Sequence, residues 1–267
     1  MKTKSKIFAT AFSLSVAFFS AQNENVKKHF LDLDGTSTNI KIQPTMYGIF
    51  FEDINFAADG GLYAELIKNR SFEFDEPLTG WKQPNTKTLS PNLDSGFLTI
   101  ITDKSKTNKN YTRITVWNDK NYILENEGFR GIGLHQGDKY DLSFNLENVS
   151  GNISAVNTSL IDENGIVISS VSTIIKGGGW QKYNTVFAPS KTIEKAKLQI
   201  TFTGKGVVNM DMISLFPQDT WKGRKGGMRK DLVQKLYDLQ PGFLRFPGGC
   251  IVEGRTLAER YQWKKTV

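Results

Sequence analysis

The feature that most constrains this chain is a tract of about 140 residues, 74–217, that carries strand patterns and no helical period. Within it, residues 97–101, 113–117 and 140–146 alternate in polarity or are rich in β-branched side chains, as are 153–161, 180–187, 196–202 and 207–216. Turn signals separate them: Glu163-Asn-Gly165, Gly177-Gly-Gly179 and Gly204-Lys-Gly206. Eight or so strands in such a tract make an antiparallel β-sandwich of jelly-roll type.

The flanks differ in character. Tyr47-Gly-Ile-Phe-Phe51 is a continuous apolar run, the pattern of a strand buried on both faces of a parallel sheet, and it ends at Glu52-Asp53. Asp59 is placed to cap a helix over 60–69, with Leu62, Leu66 and Ile67 on one face. Helical spacing returns over 228–239, where Leu232, Val233, Leu236 and Leu239 share a face, and Pro241-Gly242 stops it. A short strand over 243–246 then runs into Pro247-Gly-Gly-Cys250.

Two β/α pieces around a compact β tract read as one α/β domain with an insertion. In (β/α)₈ barrels the functional residues sit at the C-terminal ends of strands, and both unusual loops occupy that place. The expected fold is therefore mixed: a partial (β/α)₈ TIM barrel, first two strands only, interrupted by an antiparallel β-sandwich. The barrel portions total 81 residues, against about 250 for a complete barrel. Later strands are accordingly expected beyond Val267. The expected segments are 1–21, a signal peptide; 22–43, an N-terminal extended stretch broken at Asp34-Gly35; 44–74, the first β/α unit; 75–217, the inserted sandwich; and 218–267, the second β/α region.

The signal rests on Lys2, Lys4 and Lys6, the apolar stretch 7–19, and small residues at Ser20 and Ala21. Thirteen apolar residues are too few to span a bilayer, which needs about 20. The expected location is periplasmic or extracellular, with no membrane span. Those lysines also account for three of the seven net positive charges, and the other four are dispersed without a basic run, so no nucleic-acid partner is expected. Cys250, the single cysteine, leaves no internal disulfide for an exported chain.

Glu52 and Asp53 are neighbours, so on an extended strand their side chains point to opposite sides and cannot act as a pair on one substrate. Glu52 is the better site candidate, and Asp53 suits a loop-capping carboxylate. Glu253 lies about seven residues past its strand, where capping or a surface role fits better. Arg245 sits inside an apolar strand and would need a carboxylate partner if buried. Gly248-Gly249-Cys250 would let backbone amides approach a ligand, with Cys250 lining a pocket instead of reacting. The two histidines, His29 and His135, lie far from it in sequence. No spacing suggests a metal set, and no cofactor is expected.

The blocks Met46-Tyr-Gly-Ile-Phe-Phe-Glu-Asp-Ile-Asn55, Asn69-Arg-Ser-Phe-Glu73 and Leu244-Arg-Phe-Pro-Gly-Gly-Cys250 resemble α-L-arabinofuranosidases of glycoside hydrolase family 51. The tract between them is similar to the carbohydrate-binding-module-like insert of one branch of that family. The resemblance implies a retaining enzyme that removes non-reducing terminal α-L-arabinofuranosyl groups from arabinose-containing polysaccharides and oligosaccharides, with oligomerisation possible through the full-length enzyme. It further implies that Glu52, Gly249 and Cys250 bind the sugar, that Arg245 braces the catalytic carboxylates, and that the acid/base and nucleophile glutamates lie beyond Val267. The piece 1–267 would then be inactive alone. Where the family carries His after Ile-Asn, this chain has Phe56. A non-catalytic secreted carbohydrate-binding protein is the alternative.

Overall fold

The computed structural model describes residues 29–37, 41–84, 95–117, 121–262 and 264; the expected signal peptide lies outside them. The chain divides into two units, 1–42 and 43–267. In the first, the described residues form no strand. Asp34 instead accepts hydrogen bonds from the backbone N–H and hydroxyl of Thr36, which folds Gly35–Ser37 into a 3-10 turn. The extended stretch expected there is thus broken where Asp34-Gly35 suggested, and among the described residues its two sides do not pair.

The second unit is mostly β. Its elements are β1 (Ile49–Phe50), β2 (Trp81–Lys82), β3 (Gly96–Thr102), β4 (Asn110–Val116), β5 (Tyr122–Asn126), β6 (Ile132–Leu134) and β7 (Tyr140–Gly151). They continue with β8 (Ala155–Ile161), β9 (Val167–Ile174), β10 (Gln181–Phe187), β11 (Ile193–Thr203), β12 (Gly206–Pro217), α1 (Lys230–Asp238), β13 (Leu244–Arg245) and α2 (Cys250–Glu253). One antiparallel sheet runs β10-β7-β12-β4-β3; another runs β2-β5-β11-β8-β9, with β6 on β11. Consecutive side chains of a strand point to opposite faces, so alternation buries one set. In β7, Tyr140, Leu142, Phe144 and Leu146 are buried while Asp141, Ser143 and Asn145 are not. Facing residues from the other sheet, including Tyr122, Leu124, Leu198, Ile200 and Phe202, complete a single core.

The helix expected over 60–69 does not form. Its backbone groups pair elsewhere: Ala64 N–H donates to the Gly227 carbonyl, Leu66 N–H to that of Leu215, and the Leu62 carbonyl accepts from Arg229 N–H. Tertiary pairing outweighs the weak helical preference of the segment. Ile67 and Phe72 are instead buried in the core shared by the two sheets. Glu65 fastens this segment to β12, accepting from Ser214 Oγ and from the N–H groups of Leu215 and Ile67. Asn69 adds a second tie, its carbonyl accepting from Trp81 Nε1 at 3.0 Å.

The helix expected over 228–239 is present as α1, with Leu232, Val233 and Leu236 half-buried. β1 and β13 pair in parallel, Ile49 opposite Leu244 and Phe50 opposite Arg245. That adjacency matches the expectation, but burial on both faces does not follow. Phe50 is 52% exposed and Leu244 64%, because these two strands alone make up their sheet and no layer covers either face among the described residues.

Candidate functional site

β1 and β13 are about 195 residues apart in sequence and are held by main-chain bonds. Ile49 N–H donates to the Phe243 carbonyl, Phe51 N–H to that of Arg245, and Gly242 N–H to that of Tyr47. Tyr47 Oη donates to the carbonyls of Leu239 and Gln240, which fixes the end of α1 beside β1. Phe51 and Phe246 stack at 6.0 Å, so the loops leaving the two strands start side by side.

Those loops converge on Glu52. Its Oε1 accepts a hydrogen bond from the Gly249 backbone N–H at 3.2 Å. Phe50 and Glu52 are two residues apart and so share one side of the extended chain. Across from Phe50, the Arg245 guanidinium lies 4.8 Å from the Phe50 ring centre, a cation–π contact. The structure therefore brings together Glu52, Gly249 and Arg245, the three residues that the strand-end pattern singled out, and Cys250 follows as an exposed thiol at the start of α2.

Arg245 is exposed, makes no ion pair among the described residues, and lies against the Phe50 ring. Gly248, singled out with Gly249 for close backbone approach, has a specific role toward Glu52. Its φ is +142°, and a Cβ there would stand 2.7 Å from Glu52 Cγ and 2.9 Å from Oε1. Only glycine lets the carboxylate rest over this turn. The paired glycines were a usable signal, whereas the role of Phe50 as the arginine's platform was legible only through its two-residue spacing from Glu52.

Asp53 takes the capping role expected of it, its Oδ1 accepting from Ala58 N–H at 2.9 Å. The loop turns through Asn55 and Phe56, both at positive φ. Phe56, in the place where the family has His, stacks on Phe74 at 6.0 Å and meets Phe129 edge-on at 5.4 Å. It thereby anchors the loop to the β body through apolar contact. His135 lies elsewhere, lining a cleft of about 820 Å³ between α1 and the body together with Asp138 and Tyr140.

Burial also raises carboxyls outside the Glu52 loop. Burial pushes Glu65 up, opposed by its hydrogen bonds from Ser214, Leu215 and Ile67 and by Arg70. Burial likewise raises Asp211 to about 6, against the hydrogen bonds it accepts from Met212 N–H and Asn108. Glu65 thereby holds the 65–67 segment on β12, and Asp211 ties β12 to Asn108.

Comparison with known proteins follows the same outline. The alpha-L-arabinofuranosidase 1 domain model matches residues 235–267, which include β13 and its loop. An extracellular exo-alpha-L-arabinofuranosidase of Streptomyces chartreusis is 35% identical over 93% of this chain and 30% of its own length. Alpha-L-arabinofuranosidase 2 of Arabidopsis thaliana is 36% identical over 89% of this chain and 36% of its own length. Among solved structures, an arabinose-bound MgGH51 α-L-arabinofuranosidase superimposes with a TM-score of 0.72 at 31% identity, covering 84% of this chain and 37% of that one. The chain thus spans about a third of the length of the relatives it matches. In sequence and in fold, the chain is similar to part of these α-L-arabinofuranosidases, the MgGH51 enzyme among them.

Proposed function

We propose that residues 43–267 supply the sugar-binding half of an exported enzyme that removes non-reducing terminal α-L-arabinofuranosyl groups from arabinose-containing polysaccharides and oligosaccharides. The observation that carries this reading is the meeting of Glu52 with the Gly249 amide at the C-terminal ends of two parallel strands. That is where barrel enzymes place their chemistry. A carboxylate with one oxygen held by a backbone amide keeps its second oxygen and remaining lone pairs to accept from sugar hydroxyls.

In this reading 44–74 and 218–267 contribute the first two strands of a (β/α)₈ barrel, β1 and β13, with α1 leading into β13, and 75–217 is a jelly-roll insert of carbohydrate-binding-module type. Arg245, held against the Phe50 ring, presents its N–H groups to carboxylates contributed by other strands of the complete barrel. Retention requires an acid/base and a nucleophile about 5–5.5 Å apart. Asp53 is committed to Ala58 and diverges from Glu52, so the pair is not furnished by 52–53. Residues 1–267 are then a binding fragment without turnover. The N-terminal 21 residues act as the export signal, in keeping with the extracellular exo-alpha-L-arabinofuranosidase of Streptomyces chartreusis. No helix among the described residues is long and apolar enough to cross a membrane.

Isothermal titration of 1–267 with L-arabinose tests this. Weak, millimolar binding is expected, lost in Glu52→Ala, with no release from an aryl α-L-arabinofuranoside. Binding unchanged in Glu52→Ala, or release by the fragment itself, would overturn it.

A further inference from the structure

The loop that carries Glu52 is gripped from outside its own strand pair. Asn55 and Phe56 stand one after the other at positive φ, 55° and 62°. Asn tolerates that region, whereas an aromatic residue adopts it only where its surroundings compel it. Burial of the ring is not the compulsion, because Phe56 remains 44% exposed. Directional contacts hold it instead. Phe74 stacks on the ring, Phe129 meets it edge-on, and Lys68 Nζ lies 5.2 Å from its centre.

Two of those three partners are set by one buried side chain. Asn126, at the end of β5, accepts from the N–H groups of Lys68 and Gly128 at 3.3 and 2.9 Å, and its Nδ2 donates to the Lys68 carbonyl at 2.9 Å. It thus fixes both the residue whose ammonium lies over Phe56 and the turn that presents Phe129. That turn is closed by Gly131 N–H on the Glu127 carbonyl at 3.0 Å, with Gly128 and Arg130 at positive φ on either side of Phe129. The Phe129 ring lies against Gly60, where a Cβ would stand 2.2 Å from its Cγ. Phe129 is half-buried and is not among the residues of the common core, so core packing does not account for the arrangement.

Little slack separates Phe56 from Glu52. Ala57 N–H donates to the Ile54 carbonyl at 3.2 Å and Ile54 N–H to that of Glu52 at 3.0 Å, while Asp53 Oδ1 holds Ala58 N–H. A shift of the Phe56 ring therefore reaches Glu52 through two consecutive turns. The bond from Gly249 N–H to Glu52, at 3.2 Å, already stands at the long end of the normal range and tolerates little further displacement.

We propose that Phe129 is a positioning residue for the sugar site, through which the β body, braced by Asn126, aims the Glu52 carboxylate at Gly249. The proposal rests on the sugar-site reading of Glu52, and one arm of its test needs no sugar. Amide hydrogen exchange at Gly249 in 1–267, with L-arabinose titration of the same variants, is that test. Glu52→Ala removes the acceptor and sets the upper limit of exchange. Phe129→Ala should speed exchange at Gly249 about fivefold and raise the Kd for L-arabinose by about the same factor, and Phe129→Tyr, which keeps the ring, should restore both. Val171→Ala, on β9 and packed against the core, should lower the thermal midpoint and leave both readouts unchanged. Phe129→Leu supplies the reading if Phe129→Ala lacks a cooperative thermal transition. The proposal is overturned by Gly249 exchange that is unaltered when the Phe129 ring is removed, that Phe129→Tyr does not restore, that ignores Glu52→Ala, or that quickens equally in Val171→Ala. Faster exchange in Phe129→Ala with no L-arabinose bound by the unsubstituted chain would sustain the positioning of Glu52 and overturn the sugar-site reading instead.

Discussion

The two-sheet body and the β1–β13 pair are built from similar residue types, yet they differ in what those residues touch. Phe144, Phe187 and Phe202 are fully buried between sheets, whereas Phe50, Phe243 and Phe246 are about half exposed. The body closes its own core from both sides. The pair has apolar faces that nothing among the described residues covers, and in exchange it holds a carboxylate, an amide and a guanidinium in one place. Stability thus resides in the body, and the candidate chemistry sits on a structure that contributes little to it.

The largest effects should expose that division. Phe144→Ala or Phe187→Ala should cost about 3–5 kcal/mol in chemical denaturation, the usual penalty for emptying a buried aromatic site. Phe50→Ala and Phe246→Ala should each cost about 1 kcal/mol or less, since half-exposed side chains lose little burial. Comparable losses in both regions would erase the distinction.

Next comes the tie between the segment before the body and β12. Glu65→Ala strips the acceptor from Ser214, Leu215 and Ile67 and should cost about 2–4 kcal/mol, because buried donors are left unpaired. Limited proteolysis should then release residues near 60–72 early. In the unsubstituted chain, cuts are expected first in the strand-end segments around 47–56 and 240–262, with the body resistant. Equal resistance throughout would break the comparison.

A smaller effect is pH dependence. Asp211 has a folded pKa near 6, above the roughly 3.9 of an unfolded aspartate, so the folded state retains a proton that the unfolded chain releases. Its contribution to stability is full below about pH 4 and is lost as pH rises through about 6. Asp211→Asn should flatten that slope, while a curve unchanged by the substitution would place the titration elsewhere.

Much of this was legible in the sequence, for identifiable reasons. Alternation in 140–146 and 196–202 reports burial directly, because one sheet face is in the core and the other is not. The spacing of Leu232, Val233 and Leu236 marked α1. Leu62, Leu66 and Ile67 imitate the same stripe, but no local pattern could reveal that their backbone would pair with β12 and the 227–229 turn. Glu52 and Gly249 were found because both follow short apolar strands, and their contact depended only on those strands being neighbours. Gly248 was singled out with Gly249, but the clash a Cβ there would make with Glu52 was not legible, since its positive φ is a property of the folded loop and not of composition. The exposure of Arg245 escaped as well, because an apolar strand reads as buried whether or not its neighbours are present.

The smallest structural perturbation should have the clearest functional consequence. Gly248→Ala places a methyl where Glu52 rests, so it should leave stability within about 1–2 kcal/mol yet dislodge the carboxylate from Gly249. The most direct measurement is therefore the amide resonance of Gly249 in labelled 1–267 as L-arabinose is added. It should shift in a saturable way in the unsubstituted chain and stay still in Glu52→Ala and Gly248→Ala. A Gly249 amide indifferent to the sugar, with shifts confined to other regions, would contradict a sugar site at the meeting of these two loops.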